Sequence, residues 1–201
     1  MANSVASIIV VCLAPLLGAL ADQGGAKKRF LLFFAAMGIV MTGSLYLVAM
    51  GNWAMALVLY GLGVLGFSGG NIFYDALMVS VTRKQHYDKV SAYGFAFGYL
   101  GGGLLFAFNV LMTLFPGFFG LADASQAVKL SFVLVALWWA LFSIPLFLLV
   151  DEPSAERTEK AWLLAGFRQL RSTFGKLRQL RMTFLFLIAY WCYIDGVDTI
   201  V

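Results

Sequence analysis

The 201-residue chain is short of charge, of cysteine and of histidine. Charged residues make up only 12% of it, against about 25% in an average soluble domain. That shortage excludes a disordered chain, which needs high charge and low hydrophobicity. It also excludes an ordinary soluble enzyme, whose surface needs more polar cover. The two cysteines, Cys12 and Cys192, both lie inside apolar runs. They read as buried small hydrophobes, not as a disulfide framework or a metal site. The one histidine, His86, sits in a charged loop and reads as solvated. There is no His-Glu-x-x-His run and no serine–histidine pairing, so an intramembrane hydrolase lacks its nucleophile and base. The chain therefore reads as no enzyme and as needing no cofactor. Residues 1–4 lack a basic run, and no convincing cleavage site follows Ala21, which excludes a signal peptide.

What the chain has in excess is apolar surface. Its hydrophobic fraction is 62% and its mean hydropathy +0.88. One water-soluble core cannot hide that much. Long apolar runs alternate with short charged ones, the pattern of an all-α, polytopic transmembrane helix bundle. A span needs about 20 mostly apolar residues. Six segments qualify: 5–21, 30–50, 53–81, 90–115, 129–150 and 182–201. Gly51-Asn52 marks a tight turn between the second and third. The third is long enough to tilt or to end in water. Residues 116–128 read as a polar-leaning loop, and Pro145 falls near the end of the fifth span.

The basic residues sort by side. Loops 22–29, 82–89 and 151–181 fall on one face and hold 13 of the 14 lysines and arginines; Lys129 alone falls on the other. The positive-inside rule makes those three loops cytoplasmic. The net charge of +4 is then a mark of topology. Nucleic-acid binding would need a basic face with stacking aromatics in water, so no nucleic-acid partner is expected. Within 151–181, Leu163, Phe167, Leu170, Phe174 and Leu177 recur at steps of four and three, with Arg168, Arg171, Lys176 and Arg178 largely off that stripe. This reads as a basic amphipathic helix at the headgroup surface or against the bundle; the bland alternative is a charged linker that happens to be helical.

Three groups of residues carry candidate chemistry. The first is Gly18-Ala-Leu-Ala-Asp22-Gln-Gly-Gly25-Ala-Lys27-Lys28-Arg29. Gly18 and Asp22, four residues apart, share a helix face, and Gly25 permits a tight turn. The basic cluster is placed to meet phosphates or acids on a neighbouring helix. The second is Gly94-Phe-Ala-Phe-Gly98-Tyr-Leu-Gly101-Gly102-Gly103. Gly94, Gly98 and Gly102 line up as a small-xxx-small face, expected to pack against a helix along with Gly101 and Gly103. The third is intramembrane charge: Asp75, Asp195 and Asp198. A carboxylate at mid-membrane costs about 2.5–3.5 kcal/mol on insertion scales, so these are candidates for proton coupling, cation binding or contact with a solute amine. Each alternatively pairs with a basic residue elsewhere. Gly61-Leu-Gly63-Val-Leu-Gly66 matches a dinucleotide fingerprint by letter, but it lies inside an apolar span and reads as helix packing. Trp138 and Trp139 read as lipid-facing or packing residues. Tyr99, Asn109 and Tyr193 are further candidates to line a cavity.

The first string resembles the signature between the second and third helices of major facilitator superfamily transporters, with Gln23 and Ala26 where basic residues are usual. The strings Asn71-Ile-Phe-Tyr-Asp75-Ala-Leu, Gly94 to Gly103 and Tyr193-Ile-Asp195-Gly-Val are similar to one branch. That branch contains the autophagy-related vacuolar amino-acid effluxer of fungi and its bacterial relatives. The resemblance covers nearly the whole chain and implies a fragment, helices two to seven of twelve. It implies that 1–150 is most of the N-terminal half, 151–181 a cytoplasmic linker, and 182–201 the truncated first span of the second half. It further implies secondary transport of small solutes, amino acids among them, by alternating access in a bacterial plasma membrane. Gly18, Asp22, Gly25, Lys27, Lys28 and Arg29 would gate the cytoplasmic side. The partners would be lipid, solute, protons and the missing helices. The alternatives are an inert fragment, a channel, or another membrane protein without coupled transport.

Overall fold

A computed structural model describes residues 27–152, together with Leu17, Ser172, Met182, Leu185, Phe186 and 188–190. The chain divides into two compact units, 1–157 and 158–201. In the first unit four helices are described: α1 (Lys27–Ser44), α2 (Trp53–Val81), α3 (Tyr87–Leu114) and α4 (Ala124–Leu149). All four are long and apolar enough to cross a membrane. The described residues hold no strand. The expected spans 5–21 and 182–201 lie mostly outside them; the sixth is helical at Met182, 185–186 and 188–190, where Phe186 and Tyr190 stack one turn apart, centroids 6.4 Å apart.

The local chemistry explains the boundaries. The turn expected at Gly51-Asn52 is present. Gly51 takes φ +88°, a left-handed conformation open to glycine. Asn52 then caps α2, its side chain accepting from the Met55 N–H. At 29 residues α2 is about 43 Å long, well beyond a hydrocarbon core of about 30 Å.

Four expected boundaries move by three residues or more; α1 begins at Lys27, three before the expected 30. α1 stops at Ser44 and tightens into a 3₁₀ turn, Leu45–Leu47, short of residue 50. α3 starts at Tyr87, three residues before the expected 90. α4 starts at Ala124, five residues before the expected 129, and takes in part of the supposed loop. The cause is a cap: Asp123 Oδ1 accepts from Gln126 N–H at 2.8 Å, while Gln126 Oε1 accepts from Ala122 N–H at 2.8 Å. This reciprocal pair satisfies backbone donors at the helix entrance and overrides the polar composition of the segment. Just before it, Pro116 opens another 3₁₀ turn that Gly120 closes at φ +71°.

The helices run alternately up and down. α1 packs most extensively on α2 and next on α4, while α3 meets α4. The core is small: Leu31 and Phe34 from α1, Phe73 and Leu77 from α2. Phe73 is fully buried and lies near-parallel to Phe30 at 5.0 Å and to Phe34 at 5.8 Å. Leu17, from the first expected span, packs against this cluster. Most other large apolar side chains are exposed, as a lipid-facing bundle requires.

Glycines decide how close α1 and α2 come. A Cβ on Gly66 would stand 2.6 Å from Gly38 N and 2.8 Å from the Phe34 carbonyl. The two backbones touch there, with no room for a side chain. Gly69 is filled by the Phe34 ring and Gly38 by the Trp139 indole. The packing reading of Gly61 to Gly66 thus holds at Gly66.

Candidate functional site

Between the four helices lies a cavity of about 800 Å³. α2 lines it with Tyr60, Phe67, Asn71 and Tyr74. These positions step by seven, four and three residues, so they fall along one helix face. α4 contributes Phe132, Trp138, Trp139, Phe142 and Ser143; α1 adds Leu31, Ala35 and Thr42; α3 adds Gly98, Gly102 and Leu105. The wall is aromatic and apolar with a few polar groups, the make-up of a small-molecule site. Among the described lining residues none is charged.

Several wall residues hold each other. Trp139 meets Phe67 edge to face at 6.1 Å, and Trp138 lies 4.6 Å from Phe142. Ser143 spends its hydroxyl on the Trp139 carbonyl, one turn back on α4. The free polar edge therefore belongs mainly to α2, through Asn71 and Tyr74. Both tryptophans read in the sequence as lipid-facing or packing residues are wall residues, and Trp139 also packs on Gly38.

Among the described residues, the glycine face of α3 meets no helix backbone. A Cβ on Gly98, Gly102 or Gly103 would meet no described atom within 4 Å. Gly94 comes near only the Tyr74 hydroxyl, at 3.3 Å, and Gly101 only Trp138, at 3.9 Å. Helix–helix packing among the described elements runs through Gly38, Gly66 and Gly69 instead. The reason is geometric: α3 stays near α2 at their shared turn, where Tyr87 Oη donates to the Val79 carbonyl at 2.9 Å. Further along, Gly98 and Gly102 face the cavity.

Asp75 follows Tyr74 and stands one turn beyond Asn71. Its side chain is exposed, lies outside the cavity lining and has no hydrogen-bond or ion-pair partner among the described residues. Asp195 and Asp198 lie outside the described residues, as do Gly18, Asp22 and Gly25. Tyr99 is 79% exposed and absent from the wall. Asn109 buries its Oδ1 without a hydrogen-bond partner among the described residues, one turn beyond Leu105. His86 is exposed, as expected.

At the basic end the described part of the first motif makes contacts that motif reasoning missed. The Glu152 carboxylate accepts from two backbone N–H groups, Lys27 at 2.7 Å and Lys28 at 3.2 Å. The Lys27 ammonium donates to Ser80 Oγ at 2.6 Å and to the Ala76 carbonyl at 3.4 Å. The Lys28 ammonium donates to the Val150 carbonyl at 2.6 Å. The basic cluster does meet an acid on another element, but through the main chain. No sequence motif marks Glu152. These contacts also show that residues 27–29, the 82–89 turn and the end of α4 share one face of the bundle.

Comparison with known proteins agrees with this architecture. A family model described as vacuole effluxer Atg22 like matches residues 1–85 and 79–201. The MFS-type transporter YxiO of Bacillus subtilis is 37% identical over 199 residues, 98% of this chain and 46% of the relative. Autophagy-related protein 22 of Yarrowia lipolytica is 23% identical over 156 residues, covering 67% of this chain and 26% of its own length. Autophagy-related protein 22-1 of Penicillium rubens is 28% identical over 124 residues, covering 56% and 20%. The chain spans about half the length of the bacterial relative and less of the fungal ones. No solved structure matches.

Proposed function

Because the chain belongs to the vacuole effluxer Atg22-like family of MFS-type transporters, we propose that it forms part of a secondary transporter of small solutes. Its helices make it a multi-pass membrane protein. In this reading residues 1–150 are most of one half of the transporter, 151–181 the cytoplasmic linker and 182–201 the start of the other half. The two halves rock about a central site, as alternating access requires. The plasma membrane of a bacterium is the proposed location, supported by the Bacillus subtilis relative.

The observation that carries the reading is the cavity. It is an open cleft between membrane-spanning helices, walled by aromatics and edged by Asn71 and Tyr74. A wall of this kind binds the apolar body of a solute and leaves a few directed polar contacts to orient it. Amino acids suit a wall of this kind. Asp75, Asp195 and Asp198 are the proposed groups for a coupling proton or a solute amine. Gly18, Asp22 and Gly25, with Lys27, Lys28 and Arg29, form the proposed cytoplasmic gate.

Proteoliposomes carrying the protein test this. A labelled neutral amino acid should move faster with an imposed proton gradient than without one. Asp75→Asn or Asp195→Asn should remove the gradient's effect while leaving exchange in place. If neither variant alters gradient dependence, the coupling assignment fails. If no amino acid moves with or without a gradient, the substrate assignment fails.

A further inference from the structure

The contacts at the basic end join α1 to α2 and α4 through Lys27, Lys28 and Glu152, the last of which lies outside every motif. α1 is short of partners for its first N–H groups, as any helix is. Glu152, beyond the end of α4, fills two of them. In return Lys28 of α1 donates to the carbonyl of Val150, the residue that caps the end of α4. An anion sits at a helix N-terminus and a cation at a helix C-terminus, so both charges complement the local dipoles. Lys27 adds α2 by donating to Ser80, whose hydroxyl in turn donates to Ala76 at 2.9 Å. The stacked Phe30–Phe73 pair lies just inside. α3 makes no hydrogen bond to this group among the described residues.

We propose that Glu152 is a positioning residue at the basic end of the bundle: its carboxylate holds the start of α1 in register with the end of α4, while Lys27 ties α1 to α2, so that these three helices move as one body. Residues 27–29, the first of α1, are thereby held at a defined place on the basic face of the bundle. The consequence for transport rests on the reading above. The clasp itself is a statement about accessibility and is tested without any transported solute.

The test is thiol labelling of purified full-length protein in detergent, with Cys12 and Cys192 replaced by alanine. Two reporters are compared. Ala76→Cys lies at the clasp. Ala136→Cys is a buried site on α4 about 20 Å away at 1.5 Å per residue. Adding Glu152→Ala should speed maleimide labelling of the first reporter by roughly threefold to tenfold, the range that loss of a helix cap supports. The second reporter should not change. Glu152→Asp keeps the charge and should label close to the parent rate. Glu152→Gln keeps the shape without the charge and should label nearly as fast as Glu152→Ala. Acceleration of both reporters alike, parent-like behaviour of Glu152→Gln, or no acceleration in Glu152→Ala would each overturn the proposal. Transport is then assayed separately, so a failed substrate assignment and a failed clasp are told apart.

Discussion

At the scale of single residues, glycine plays two opposite roles in this chain. Gly66 has the Gly38 backbone where a Cβ would go, and Gly98 has open space. Gly66→Ala must push α1 and α2 apart, and overpacking of this kind costs on the order of 1–3 kcal/mol. The apparent melting temperature in detergent should fall clearly. Gly98→Ala should leave it unchanged or raise it slightly, because alanine favours a helix over glycine by about 1 kcal/mol. Equal losses in the two variants would contradict the seam described here. Asp75 allows a similar separation. It has no described partner to lose, so Asp75→Asn should change stability by less than about 0.5 kcal/mol. A large drop in melting temperature would mean that Asp75 holds the bundle together and would remove it from the coupling candidates.

At the scale of elements, the helices begin and end where backbone groups find partners. α4 is capped locally by Asp123 and Gln126, three residues apart. Asp123→Ala should cost about 1 kcal/mol, read as a lower melting temperature. It should leave labelling of the Ala76→Cys reporter untouched, since the cap stands at the opposite end of the bundle. α1 is capped instead by a residue 125 positions away in sequence. For that reason sequence spacing places the start of α4 to within a few residues, while it gives no sign of the partner of the Lys27 and Lys28 amides. A local cap can be found by spacing. A remote one exists only after two helices have packed side by side.

At the scale of the whole molecule, the alternating helices put both described basic segments, 27–29 and 82–89, at the end of the bundle where α4 finishes. The opposite end carries the Gly51-Asn52 turn and the Pro116–Phe119 turn. Gln85→Cys should therefore react with an impermeant thiol reagent only from the cytoplasmic side, and Ser125→Cys only from the other. The same side for both would overturn the topology. The reverse assignment would keep the antiparallel order but break the positive-inside reading.

Much of this was legible in one dimension. Apolar runs, charge bias and the Gly51-Asn52 turn determined an all-α membrane bundle, four of its spans and a common face for the basic loops, because length, solvation and charge act on each segment separately. The motif strings also pointed to the family. The tertiary structure alone decided which glycines touch, that Gly98 and Gly102 open onto a cavity, that Trp138 and Trp139 wall it, and that Glu152 caps α1. Each of these depends on the separation between two helices. A pattern of small or polar residues fixes which face they share, but not what stands opposite.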